Sequence, residues 1–380
     1  MEFHLHEPSA IFLQNLAMFS ASIVSPTAVK LHGKAFGEHP IGTGPFQFTN
    51  WQRKQSITIS TFDDHWRGPP GVARVIFLSV GDNSTRAEQL KRGESHIADD
   101  LRPADLDALA RSPEFKVQEQ VGLNVAYLSM QMEKPPLNHR DVRLAISHAI
   151  DKAELIRIAY GGKATSATNL CPPSMWGHNN QIQDRLFDAT VGKQILAECA
   201  QREGFELPVK LTLAVMTEPR PYMPQAEQVG SFVKDSLARI GIDVTIEPRS
   251  VNQHFDYVQK GRHQLALAGW SSDNNDIDNF LFALLDDNLL DTKGDVDSNN
   301  LSRYRSEDVH KLLTAGQSEL DREKRLQLYL KAQELIFADA PVVPLVHAQF
   351  RAAHTKRLLG YKLHPSQLVR LRLAHFEATK

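Results

Sequence analysis

The sequence predicts an α/β protein with mixed sheets, and two stretches carry that prediction. VKLTLAV (209–215) alternates apolar and polar residues with the period of a strand. Val229, Phe232, Val233, Ser236, Leu237 and Ile240 then recur at helical spacing up to Gly241, and Ile242, Val244 and Ile246 resume the strand period. QLALAGW (264–270) is a nearly unbroken apolar run, the composition of a strand covered on both faces of its sheet. Strands that alternate with helices in this way build layered α/β domains.

The other elements follow in chain order. MEFHLHEPSAIFLQNLA opens with Phe3 and Leu5 alternating against Glu2, His4 and His6, which predicts a strand. Ile11, Phe12, Leu16, Phe19 and Ile23 lie near helical spacing and predict a helix over 9–25. Gly42, Gly44 and Pro45 of PIGTGPFQF mark a tight turn before a strand. SITIS (56–60) and ARVIFLSV (73–80) read as strands, and STRAEQLKRG (84–93) as a short helix capped at Ser84 and stopped at Gly93. GLNVAYLSMQ (122–131) is a strand with alternating apolar positions. Over 138–162, Val142, Ala145, Ile146, Ala149 and Ile150 share one helix face. Asp151 with Glu154 has the spacing of a capping box for a second helix, which Gly161 and Gly162 end. An amphipathic helix over 321–338 and a strand at PVVPLVHAQF (341–350) complete the pattern.

The totals exclude several function classes. A chain of 380 residues is long enough for two or three domains. Lys plus Arg number 43 against 45 for Asp plus Glu, which argues against nucleic acid or an anionic membrane surface as partner. No apolar run approaches the roughly 18 residues of a membrane span. Cys171 and Cys199 have no metal-ligand spacing and read as two buried free thiols, with one bridge between them as the alternative. His4, His6, His32 and His39 lack a third ligand at fixed spacing. GDVDSNN (294–300), counted from Asp295, places Asn300 where a calcium loop needs Gly and Ser306 where it needs Glu. Neither metal nor cofactor is predicted. There is no GxSxG, GxGxxG, Walker loop or HExxH, so an enzyme is not predicted. The N-terminal stretch lacks the basic start, apolar segment and cleavage site of a secretory signal, and a chain that opens inside a strand reads as a fragment.

One stretch stands out. GWSSDNNDIDNF (269–280) places Trp270 at the end of an apolar strand, then Asp273, Asn274, Asn275, Asp276, Asp278 and Asn279, with no His, Cys or Lys among them. An indole face covering a ligand beside a partly desolvated carboxylate that accepts from an ammonium group is one reading; a helix N-cap is the other. Arg220 and Tyr222 in EPRPYMP follow the 209–215 strand. The guanidinium fork matches a carboxylate, although an Arg in a Pro-rich loop also reads as surface. Ligands of open α/β sheets collect beyond the carboxyl ends of the strands, so the two loops offer a cation and an anion at one edge.

PIGTGPFQF, FDDHWRGPP (62–70), GLNVAYLSM, KPPLNHRDVRLAISHAID, NLCPPSMWG (169–177), EPRPYMP and GWSSDNNDIDNF, in that order, resemble the peptide-binding proteins of bacterial ABC importers, solute-binding protein family 5, over essentially the whole chain. The resemblance implies a two-lobed periplasmic binding protein type II-like fold with a hinge and an incomplete first lobe. Lobe I would comprise residues 1–124 and 346–380 and lobe II residues 125–345, with crossings near Asn124–Leu128 and Val343–His347. It implies that Asp273 takes the α-ammonium of a short peptide, Arg220 its carboxylate, and that Trp270 and Tyr222 wall the pocket. It further implies a periplasmic monomer that delivers peptides to the permease subunits of an ABC transporter. Some members carry Cys at the positions of Ser95 and Asp287, so those disulfides are absent here. The alternatives are haem or a cationic peptide as cargo, the latter with Asp276 and Asp278 as acidic lining, a degenerate fragment that binds nothing, or a hydrolase using Asp273 and His347.

Overall fold

The structure, a computed structural model, describes residues 2–290, 297–366 and 368–377; Asp295 lies outside the described residues. The chain divides into two compact units, Met1–Asn15 with Val121–Gln349, and Leu16–Gln120 with Phe350–Lys380.

Helix α1 (Phe12–Leu16) is a single short turn at the first boundary. In the smaller unit, α2 (Pro26–His32) starts at Ser25, whose hydroxyl accepts from the Ala28 N–H, and Pro26 sits in the first turn, where a missing N–H costs nothing. Strands β1 (Phe46–Gln52), β2 (Ser56–Thr61) and β3 (Arg74–Leu78) form an antiparallel sheet in that order. Helix α3 (Asn83–Lys91), β4 (Ile97–Asp99), α4 (Pro103–Arg111) and β5 (Phe115–Val121) follow, with Leu90, Leu101, Leu106 and Leu109 as their core.

The larger unit continues with β6 (Asn124–Met130), α5 (Arg140–Ala149), α6 (Lys152–Ala159), β7 (Ala164–Ser166), α7 (Ala189–Glu203), β8 (Val209–Met216), α8 (Ala226–Ala238), β9 (Ile242–Arg249), α9 (Val251–Gln259), β10 (Leu265–Ser271), α10 (Asp278–Leu285), α11 (Glu307–Ser318) and α12 (Arg322–Asp339). The last long strand, β11 (Val342–Thr355), pairs with β6 and β7 here, and its far end pairs with β4 in the smaller unit. The sheet of the larger unit runs β11-β6-β10-β8-β9. β8 pairs in parallel with β9 and β10, whereas β6 is antiparallel to β10, so the sheet is mixed as predicted. β8, β9 and β10 therefore end at one edge.

Both faces of this sheet are covered. Leu128, Val142, Ile146, Leu213, Val233 and Leu267 belong to one core, and Tyr127, Ala214, Ala268, Phe280 and Tyr329 to another. That is why β10 reads as a continuous apolar run. β6 is buried at every position, so its alternation separates two cores and not core from water.

Several local expectations are corrected. Residues 2–5 form no strand; Phe3 packs edge-on against Phe12 with centroids 5.1 Å apart, and no strand pairs with it among the described residues. Residues 9–25 are not one helix: α1 is followed by a 3-10 turn at Phe19–Ala21 and extended chain. Leu13, Phe19 and Ile23 stay exposed, so periodicity there has no core to bury into. The cap of α3 is Asp82, whose carboxylate accepts from the Thr85 N–H at 2.7 Å, and Ser84 lies inside the helix. Asp151 does cap α6 at the Glu154 N–H, but Glu154 turns to Arg157 and leaves the box half formed. Residues 1–15 group with 121–349 and not with the other N-terminal residues: the Ala10 N–H donates to the Gln317 carbonyl at 2.8 Å, and the Asn274 side chain donates to Asn15 at 2.8 Å. The unit boundaries fall after Asn15, Gln120 and Gln349. Cys171 and Cys199 are both free and buried.

Candidate ligand-binding site

Two loops leave the shared edge of β8 and β10. After β8, the backbone folds back on itself at Arg220–Met223, with the Arg220 N–H on the Met223 carbonyl at 3.1 Å and the Met223 N–H on the Arg220 carbonyl at 2.8 Å. This tight pairing, with Pro221 between, fixes where both side chains start. Tyr222 is buried, and the Tyr160 hydroxyl donates to its carbonyl at 3.0 Å.

The Tyr222 ring lies on the backbone of Gly269. A Cβ at Gly269 would stand 2.2–2.5 Å from the ring carbons Cδ2, Cε2 and Cγ, so only glycine permits this contact. Gly269 immediately precedes Trp270, and this contact brings the two sequence-predicted loops together. The Tyr222 hydroxyl and Arg220 Nε are both buried without a hydrogen-bond partner. Burial pushes the Tyr222 phenol up, and the neighbouring Arg220 guanidinium opposes that rise.

The second loop is a chain of backbone-to-side-chain bonds. The Ser272 N–H donates to the Leu123 carbonyl at 2.7 Å, the Asn275 N–H to Ser272 Oγ at 2.9 Å, the Asp276 N–H to Asn274 Oδ1 at 3.0 Å, and the Asp278 N–H to Asp276 Oδ1 at 3.0 Å. Asn275 takes φ 59°, a left-handed conformation that Asn tolerates better than most residues. Asn and Asp are dense here because short polar side chains close such turns.

The three carboxylates of the loop have different fates. Asp276 is buried and receives two nitrogens of Arg325 from α12, at 2.7 and 2.9 Å. Asp278 is buried, accepts from Gln317 at 3.1 Å and from the Tyr329 hydroxyl at 3.1 Å, and is pushed up to about 6 chiefly by burial. Asp273 is half-buried; its carboxylate forms no ion pair and accepts no hydrogen bond among the described residues, and burial alone raises its pKa. Asp273 caps no helix: α10 begins after Ile277, without a side-chain cap. The N-cap alternative is thereby set aside, and so is the idea that Asp276 and Asp278 line a site for cationic cargo.

Trp270 and Asp273 are held together. Asn279 Oδ1 accepts from Trp270 Nε1 at 3.0 Å and from the Asp273 N–H at 3.0 Å. Sequence reading placed Asn279 in the polar cluster without a role; its spacing from Trp270 and Asp273 was visible, but which lone pairs it would use was not. Arg325 was missed because nothing local marks a helix arginine as a loop anchor. No ion pair joins Arg220 to Asp273 among the described residues; Arg220 Nε lacks a hydrogen-bond partner, and the Asp273 carboxylate feels burial alone.

His347 is buried, its Nδ1–H donates to the Asn124 carbonyl at 2.7 Å, and burial pushes it down to about 4. No carboxylate orients it among the described residues, so the Asp273/His347 hydrolase pair is not assembled. Asp286, Asp287 and His310 gather their donor atoms within 4.8 Å, and His310 Nδ1 already faces the buried Asp286 carboxylate at 2.9 Å.

At the ends of strands β8 and β10 the covered sheet thus presents aromatics, a carboxylate with no partner among the described residues, and a guanidinium nitrogen without a hydrogen-bond partner. The chain belongs to the bacterial extracellular solute-binding proteins, family 5, whose middle-region model matches residues 1–289. Members of this family are binding proteins and not enzymes. The chain is 32% identical over 370 residues to the dipeptide-binding protein of Escherichia coli K12, covering 96% of this chain and 68% of that protein. It is 33% identical over 371 residues to di/tripeptide-binding protein 1 of Pseudomonas aeruginosa UCBPP-PA14, covering 96% and 67%. Among solved structures, the ABC transporter-associated periplasmic binding protein DppA from Helicobacter pylori in complex with peptide STSA matches with TM-score 0.90 at 31% identity, over 99% of this chain and 72% of that one. The dipeptide-binding protein from Pseudoalteromonas sp. SM9913 in complex with Met-Leu also matches with TM-score 0.90, at 25% identity, over 99% and 73%. The fold is thus the mixed α/β, type II periplasmic binding protein fold that the sequence predicted.

Proposed function

We propose that this chain captures short peptides by their free termini for delivery to the permease of an ABC transporter. Asp273 receives the α-ammonium, Arg220 receives the carboxylate, and Trp270 and Tyr222 form the walls. The observation that carries this reading is the state of Asp273: it is the one carboxylate of its loop without a partner, half-buried, beside an immobilised indole. A carboxylate left in that condition gains most from a cation that arrives with the ligand. The peptide-bound relatives support the cargo class. A haem-binding protein A from Haemophilus influenzae is also 30% identical to this chain, but no feature of the site favours that cargo.

The energetics suit a peptide. Each charge-assisted hydrogen bond contributes roughly 1.5–3 kcal/mol. Two clamps thus supply about 3–6 kcal/mol, against the roughly 8 kcal/mol of micromolar affinity. Strand-like pairing to the peptide backbone supplies the remainder and makes the site tolerant of side chains and strict about termini. The protein works as a monomer in the periplasm and has no nucleic-acid partner.

Calorimetric titration of a free dipeptide and its N-acetylated analogue, into this chain and into Asp273→Ala, tests the reading. Much tighter binding is expected for the free amine than for the acetylated analogue, and that preference only with Asp273 present. Equal affinity for both ligands, or an unaffected Asp273→Ala, would sink it.

A further inference from the structure

We infer that Asn279 is the positioning residue of the ammonium site, an inference that rests on the role proposed for Asp273. One oxygen, Asn279 Oδ1, accepts both the Trp270 indole N–H and the Asp273 main-chain N–H, each at 3.0 Å. A carbonyl oxygen has two lone pairs, and both are used. The wall and the charge of the site therefore share one anchor.

That anchor is itself held. Asn279 lies in the first turn of α10, and its own N–H donates to the Asp276 carbonyl at 3.1 Å. Asp276 is gripped by Arg325, and Asp278, the preceding residue, by Gln317 and Tyr329. Helices α11 and α12 thus set the place of Asn279, and Asn279 sets the place of Trp270 and Asp273. None of these contacts touches the Asp273 carboxylate, which stays open.

Two consequences follow for recognition. The only N–H of the Trp270 side chain is consumed, so Trp270 meets a ligand with its ring face and not as a donor. The amide is also neutral. An acid at 279 would keep an acceptor oxygen in place but would set a second negative charge beside Asp273, and a like charge raises a carboxylate's pKa. Asparagine positions the site without disturbing its titration.

The test compares Asn279→Ala and Asn279→Asp with the wild-type chain. Calorimetry measures the affinity for alanyl-alanine and for its N-acetylated analogue across pH, and thermal unfolding is followed in parallel. Asn279→Ala is expected to weaken alanyl-alanine about tenfold or more while leaving the weak binding of the acetylated analogue unchanged, so that amine selectivity collapses. Asn279→Asp is expected to restore affinity at neutral pH to within a few fold, with the acid limb of binding moved to higher pH. Selectivity retained in Asn279→Ala would overturn the inference, as would a loss shared equally by both ligands, which marks a merely structural residue. A wild-type chain that does not prefer the free amine would overturn the role of Asp273 and this inference with it.

Discussion

Gly269→Ala makes the sharpest test of how the two loops are joined. The added Cβ would stand 2.2 Å from Tyr222 Cδ2, 2.4 Å from Cε2 and 2.5 Å from Cγ. Carbon atoms prefer a separation of about 3.5–4.0 Å, so the ring must retreat by more than about 1 Å. It has nowhere easy to go: Tyr222 is 4% exposed and belongs to the core of the larger unit. Overpacking of this kind costs typically 1–3 kcal/mol. The ring cannot move without pulling on the Arg220–Met223 pairing, so Arg220 shifts as well. Losing one charge-assisted contact, about 1.5–3 kcal/mol, weakens a free dipeptide by roughly 10- to 100-fold. Thermal unfolding and calorimetry read the two effects separately. A C-terminally amidated dipeptide, which under the proposed binding mode offers no carboxylate to Arg220, is expected to lose little. Truncating the ring in Gly269→Ala/Tyr222→Ala removes the clash, so the two substitutions should couple favourably in unfolding. An unchanged melting temperature together with unchanged affinity would refute the contact. An equal loss for free and amidated peptides would refute the link to Arg220.

Other expectations are briefer. Arg325→Met leaves the buried Asp276 without its two donors, and losing one partner of a buried pair costs about 3–5 kcal/mol; Arg325→Met/Asp276→Leu should be markedly less destabilised, which unfolding in urea would measure. Burial pushes His254 and His347 down to about 4 and His263 to about 3, from 6.5 unfolded. These folded values are depressed and the native state holds the rings neutral, so their contribution is fully present above pH 6.5 and is lost as pH falls through about 4. For His347 alone that is on the order of 3 kcal/mol, and His347→Gln should flatten the acid limb of a stability–pH curve. Burial also raises Asp273. Dipeptide affinity should therefore begin to fall at a higher pH than an ordinary carboxylate dictates, with protons released on binding in that range; a pH-independent affinity down to pH 4 would contradict it.

Much of the fold was legible because its signals are local. The β8–α8–β9 unit and β10 follow from apolar period and from where the period changes, since a strand or helix that faces a core must show it every second or every third to fourth residue. The prediction over 9–25 failed for the same reason: periodicity marks a face but not whether anything covers it, and Phe19 and Ile23 remain in water. Ser84 lost the cap of α3 to Asp82, two residues earlier, because caps depend on backbone geometry that residue type only suggests.

The sequence by itself determined that Trp270, Asp273, Arg220 and Tyr222 stand at strand ends, and that an acid-rich loop sits beside an indole. It did not distinguish Asp273 from Asp276 and Asp278, because a carboxylate's chemistry depends on what is aimed at it. Arg325, 49 residues beyond Asp276, and Tyr329, 51 beyond Asp278, take two of the three acids and leave one. The Tyr222 ring on Gly269 joins the two loops across a similar gap in the chain. Only the tertiary structure brings such partners within hydrogen-bonding or van der Waals reach, and both interactions vanish beyond a few ångströms.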